Sequence, residues 1–130
     1  MISSYSQIYS IGHPAVADLL NYPVLVEEKL DGSQFSFGVS MLNGELEMRS
    51  KGQEIVEGNY PNMFLPAIEF VRSIKDKLTP GWIYRSEAIC KRKHNVLEYA
   101  DTPPGFIVIF DIQLPNGAFI NPSWKVAEAD

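Results

Sequence analysis

The chain has one cysteine (Cys90), two histidines and two tryptophans among 130 residues. A single cysteine excludes an internal disulfide and fits a reducing compartment, so the expected location is cytoplasmic. No run of 18 apolar residues occurs, so no segment reads as a membrane-crossing helix. The opening MISSYSQIYSIGHP has neither the basic start nor the apolar core of a secretory signal. Positive charge is also scarce: 11 Lys and Arg face 16 Asp and Glu, a formal net charge of −5. That balance argues against a broad electrostatic nucleic-acid surface and leaves room only for local basic patches. The densest is CKRKH at 90–94. No His, Cys, Asp and Glu set has zinc spacing, so neither His13 nor His94 reads as a metal ligand. Cys90 has no sequence reason to be a nucleophile. Repeats, low-complexity tracts and internal linkers are absent.

What is present is a globular composition, 45% hydrophobic and 21% charged. The length suits one domain or part of one. PAVADLL at 14–20 reads as a helix with Pro14 in its first turn, stopped by Pro23. VLVEE at 24–28 reads as a strand running into Lys29. Asp31-Gly32 signals a turn, 33–39 alternates as a strand, and Asn43-Gly44 signals a second turn before a strand at 45–49. The clearest helix is 63–78, with Phe64, Ile68, Val71, Ile74 and Leu78 at helical spacing and Thr79-Pro80-Gly81 as its stop. Strands follow at 82–89 and at 106–112, where FIVIFDI is apolar enough to be buried. Asn121-Pro122-Ser123 reads as a helix start with Ser123 as cap. The expected class is α+β: an antiparallel sheet with flanking helices.

One stretch carries chemistry. Residues 26–38 read VEEKLDGSQFSFG, with Lys29 three residues before Gly32. Lys-x-Asp-Gly arises by chance in roughly three chains per hundred of this length, so alone it is equally a strand-end lysine beside a turn. A lysine attacks only when neutral, and its free pKa of about 10.4 leaves almost none neutral at pH 7. Desolvation at a pocket floor or nearby positive charge would lower that pKa. Gly32 would let the backbone approach a ligand. Such an amine could attack the α-phosphorus of a nucleotide in line and expel pyrophosphate.

Further matches surround this stretch. Glu28–Ser33 reads EKLDGS, 48–52 reads MRSKG, 82–89 reads WIYRSEAI, and 91–112 reads KRKHNVLEYADTPPGFIVIFDI. In order and spacing, over about residues 8–115, they resemble the motifs of ATP-dependent RNA ligases. The nick-sealing branch of that family, within the covalent nucleotidyltransferases, is the most similar. The resemblance implies part of an ATP-grasp-like ligase adenylation domain, with ATP and Mg²⁺ as cofactors and RNA ends or nicked duplex as partner.

It also implies residue roles. Lys29 would carry AMP. The backbone at Glu28 would hold the adenine edge, and Gln34 would stand near the phosphates. Arg49, twenty positions after the lysine, would reach the ribose and the RNA 5′-phosphate with its two-pronged guanidinium. Glu87 would accept from a ribose hydroxyl. Phe110 would stack on adenine, with Asp31, Gly32 and Asp111 in support. Lys51, Lys91, Arg92 and Lys93 would touch RNA phosphates.

Two departures stand out. Ser86 replaces the glycine usual before the glutamate, where its hydroxymethyl would crowd the ribose or be tolerated. Residues 113–130 contain neither the Asp/Glu-Gly-x-Val type segment nor the Lys-x-Lys pair of the family's later motifs. The expectation is therefore an N-terminal part of the adenylation domain spanning 1–130, with a C-terminal fragment or self-association as partner. The alternatives are an inactive remnant that binds nucleotide, RNA or a complementary fragment, and a DNA ligase or capping-type enzyme.

Overall fold

A computed structural model describes residues 2–56 and 58–121. Its elements are β1 (Ser33–Val39), β2 (Leu46–Ser50), β3 (Glu54–Ile55), α1 (Leu65–Ser73), β4 (Ile83–Ala88) and β5 (Ile107–Gln113), with short 3-10 turns between them. The strands form one antiparallel sheet in the order β3-β2-β1-β4-β5, so β1 lies in the middle. This is the expected α+β class.

Alternation in β1 explains the two faces. Phe35, Phe37 and Val39 point one way and are buried. In the ladder Phe37 stands opposite Met48 and Tyr84, and Phe35 opposite Ser86. The Phe37 and Tyr84 rings lie 5.3 Å apart and nearly parallel. α1 covers this face because Ala67, Ile68 and Val71 recur on one side of it, with Phe64 just ahead stacked on Phe35 at 5.5 Å. Burying each such ring contributes about 1.5–3 kcal/mol. Gly105, with φ at +72°, lets the Pro-Pro-Gly turn come in against α1, where a Cβ would lie 2.5 Å from the Phe70 ring.

The opposite face is polar. Gln34 and Ser36 of β1 stand beside Arg49 of β2 and Arg85 and Glu87 of β4. β5 joins through an irregular register: Arg85 pairs with Asp111, but Ser86 pairs with Ile109, so the register shifts by one at Phe110. This bulge matters because strict alternation from buried Ile112 would turn Phe110 toward α1.

Several expectations fail in the first thirty residues. Residues 14–20 form no α-helix, only exposed 3-10 turns at Pro14–Val16 and Leu19–Asn21. Residues 24–28 form no strand, and Val24, Leu25 and Val26 are 45%, 63% and 86% exposed. The physical reason is the same in both: apolar patterning yields an element only where another surface buries it. Asp31-Gly32 makes a bend into β1 rather than a hairpin turn. The helix expected over 63–78 is a 3-10 turn at Asn62–Phe64, α1, and a second 3-10 turn at Lys75–Lys77. The helix start at Ser123 lies outside the described residues.

Candidate functional site

The loop leading into β1 is held by three attachments. The Asp31 carboxylate accepts the backbone N–H of Leu97 at 2.6 Å and of Val96 at 2.7 Å, and the Asn95 amide at 3.1 Å. These donors, the Leu97 and Val96 amides foremost, hold Asp31 below the usual carboxylate range. The Asp31 N–H in turn donates to the Tyr99 hydroxyl at 2.8 Å. Second, the Cys90 N–H donates to His94 Nε2 at 2.9 Å, so that nitrogen carries no proton, and Nδ1–H points to Ser33 Oγ at 3.3 Å. Burial, with Lys91 nearby, pushes the His94 pKa down and favours this neutral ring.

The third attachment brings two motifs together. Gly32 N–H donates to Glu87 Oε2 at 3.1 Å. Burial raises the Glu87 pKa, and the Asp31 charge adds to that; the Gly32 amide and the Lys29 ammonium work against it. Lys29 therefore stands near enough to Glu87 for its charge to be felt. Gly32 is required at this contact: a Cβ would lie 2.5 Å from the Ala88 carbonyl oxygen. The glycine thus lets two backbones approach closely here.

Arg49 and Arg85 flank Ser36 from opposite sides. Arg85 is 1% exposed, and its guanidinium donates to Ser3 O at 2.8 Å, Ser36 Oγ at 3.0 Å and Gln113 Oε1 at 2.7 Å. The Nε of each arginine is buried without a partner. The protein itself occupies both terminal nitrogens of Arg85, so Arg49 is the guanidinium of this pair that suits an anion such as phosphate. Among the described residues, no group of three or more His, Cys, Asp and Glu is placed to hold a metal ion.

The structure brings some of the sequence-nominated residues together and leaves others apart. Gln34, Arg49, Glu87 and Asp111 share the polar face. Phe110 reaches Tyr5, whose hydroxyl donates to Asp111. Asp31 and Gly32 sit at the edge of that face beside Glu87. Lys29 and Glu28 are exposed, in a stretch without strand structure. The expectation of a lysine on a strand end at a pocket floor is thus corrected: the strand is not there to carry it. Two hollows exist elsewhere. One of about 340 Å³ includes Gly38, Glu47, Trp82 and Gln113, and one of about 200 Å³ includes Pro66, Cys90 and His94. Neither is lined by Lys29, Arg49 or Glu87. Lys51, Lys91, Arg92 and Lys93 are exposed, with Arg92 occupied by Glu98 at 3.4 Å and the Tyr99 carbonyl at 2.9 Å.

Ser86 does not crowd the polar face. Its Oγ donates to the Phe35 carbonyl at 2.6 Å, and the residue is fully buried. Sequence reasoning missed Tyr5 and Arg85 as parts of the site. Tyr5 reaches Asp111 across 106 positions, so no local pattern announces it. Arg85 was visible only as the neighbour of Glu87.

The fold and site define an α+β domain whose antiparallel sheet has one face packed under a helix and one face lined by arginines and carboxylates. No protein-family model matches the chain, and no curated protein or solved structure matches it. Among the described residues, no helix is long and apolar enough to cross a membrane.

Proposed function

We propose that this chain contributes the nucleotide-accepting face of an ATP-dependent RNA ligase. The single observation that carries the reading is the contact between the EKLDGS loop and Glu87, made through Gly32 N–H on the face that also holds Arg49. The contact joins two of the four motif segments, and the same face carries Arg49 of a third and Asp111 of the fourth. In this reading Lys29 Nζ, deprotonated, attacks the α-phosphorus of ATP. The N–P bond forms, the bond to the bridging oxygen breaks, and pyrophosphate leaves. The AMP then passes to an RNA 5′-phosphate, and a 3′-hydroxyl displaces it to seal the strand. Mg²⁺ would accompany ATP and offset charge on its phosphates. Arg49 offers a guanidinium to phosphate, Glu87 an acceptor to a ribose hydroxyl, and Phe110 a ring to adenine. The exposed position of Lys29 requires that ATP, RNA or a further part of the protein bury the amine before it reacts.

The test is incubation with ATP labelled at the α-phosphate and Mg²⁺, with the chain alone and mixed with a fragment bearing the later ligase motifs. Label should appear on the protein and vanish in Lys29→Ala. A wild-type chain that takes no label under either condition would overturn the reading.

A further inference from the structure

Gly32 is where the lysine loop turns into the sheet. Without a Cβ, a glycine backbone has more freedom than that of any other residue type. Here that freedom is removed at both polar groups. The Gly32 N–H donates to Glu87 Oε2 at 3.1 Å, and its carbonyl accepts from Asn95 Nδ2 at 2.9 Å. The same Asn95 nitrogen donates to Asp31 Oδ1 at 3.1 Å. An amide nitrogen has two hydrogens, and one goes to each acceptor.

Two uses are open to this amide: closing its own loop, or holding the neighbouring one. The loop that carries Asn95 is closed by other groups. Tyr99 N–H donates to the Arg92 carbonyl at 2.8 Å, Arg92 Nε donates to the Tyr99 carbonyl at 2.9 Å, and Lys93 forms a bridge with Glu98. Arg92 also meets the Glu98 carboxylate at 3.4 Å. Both amide hydrogens cross to residues 31 and 32 instead. The Val96, Leu97 and Tyr99 bonds to this loop end on Asp31, whereas Asn95 reaches on to Gly32.

We propose that Asn95 is a positioning residue for Lys29: it locks the bend at Asp31-Gly32 and so sets where Lys29 stands relative to Glu87. The inference rests on the ligase reading above. Lys29 lies three residues before Gly32, a reach of up to about 10 Å. At that reach, a backbone rotation of about 6° at Gly32 moves Lys29 by about 1 Å. A misplacement of about 1 Å can slow a reaction about 100-fold. The lock therefore matters more for aim than for holding the fold together.

The first test is labelling with ATP labelled at the α-phosphate and Mg²⁺, over a range of ATP concentrations, on wild type, Asn95→Ala and Asn95→Leu. Asn95→Leu keeps the size of the side chain and removes both donors. Position 95 is exposed, so both variants keep the packed face. In each the maximal labelling rate should fall at least about tenfold, while the half-saturating ATP concentration moves less than about twofold. A full maximal rate, or a loss confined to the half-saturating concentration, overturns the role. The second test needs no ATP: NMR titration of the Glu87 carboxyl in wild type and Asn95→Ala. The Gly32 amide and the Lys29 ammonium both hold the Glu87 pKa down against burial, so loosening the bend should raise the midpoint. An unchanged midpoint overturns the positioning role even if labelling is slow. A wild-type chain that never takes label, with or without a fragment bearing the later motifs, overturns the ligase reading instead, and the titration alone then decides whether Asn95 sets the bend.

Discussion

The Asp31 carboxylate receives the Leu97 backbone N–H at 2.6 Å, across 66 positions of sequence. It thereby ties the loop that carries Lys29 to the loop that carries Lys91, Arg92 and Lys93. Asp31→Ala should free both loops at once: amide exchange at Val96 and Leu97 should rise sharply, while exchange in β1 and β4 changes little. Because these donors depress the Asp31 pKa from its ordinary 3.8, the stabilisation is complete above about pH 4 and is lost as pH falls through the lower folded value. The wild-type chain should lose this protection in acid, and Asp31→Ala should have none to lose. Unchanged exchange at 96 and 97 in the variant would contradict the tie.

Glu87 works in the opposite sense. Burial raises its pKa above 4.5, so its ionised form is the less comfortable one in the folded chain. The cost appears as pH rises from about 4.5 through the folded value and stays at neutral pH. Glu87→Gln keeps an oxygen for Gly32 N–H and removes the charge. Its melting temperature should equal or exceed that of wild type at pH 7, with the difference shrinking below pH 4.5. If the nucleotide reading holds, Lys29 labelling should nonetheless fall at least about tenfold, the scale of one lost charged contact. A variant that is less stable at pH 7 would refute the electrostatic account.

His94 is neutral because its Nε2 is an acceptor for Cys90 N–H. With a folded pKa below the ordinary 6.5, the unfolded chain binds the proton first. Stability should therefore decline as pH falls below 6.5 and level off once the folded ring is itself protonated. NMR titration of the ring should give a midpoint under 6.5, and His94→Asn should flatten this part of the pH–stability curve. A midpoint above 6.5 would contradict the assigned cost of burying the ring's charge.

The packed face sets the scale of stability. Phe35→Ala removes a fully buried ring that touches Phe37 and Phe64, and should cost about 3–5 kcal/mol in urea unfolding. Val96, 80% exposed, should tolerate alanine within about 0.5 kcal/mol. Gly105→Ala should be costly for a different reason, since it meets the Phe70 ring and an unfavourable backbone angle together. Equal effects at positions 35 and 96 would mean that the core lies elsewhere.

The middle of the chain was legible because burial enforces its patterns. In β1, Phe35, Phe37 and Val39 alternate with Gln34, Ser36 and Gly38 since one side faces α1 and the other does not. Phe64, Ile68 and Val71 recur at helical spacing for the same reason. The first thirty residues misled because Leu19, Leu20 and Val24–Val26 carry the right composition yet stay between 41% and 86% exposed. At the site, Gln34, Arg49 and Glu87 were nominated only through the resemblance, in separate motifs; the strand pairing is what makes them neighbours. The direction of Ser86 follows from strand periodicity, because Tyr84, Ser86 and Ala88 share a side. Tyr5 was illegible, since its contacts span the whole chain and leave no local spacing. Phe110 was legible as an aromatic in a strand but not as to side, since a bulge cannot be read from an unbroken apolar run.

That surplus position in β5 constrains how the chain can diverge. Exchanging one amino acid for another at 110 alters which group meets Tyr5, yet leaves the strand's phase intact. Losing one codon between 107 and 109 would remove the register shift, restore strict alternation and carry the ring's place over to the helix side. Drift by substitution can therefore retune this spot gradually, whereas a one-residue deletion would erase it in a single step.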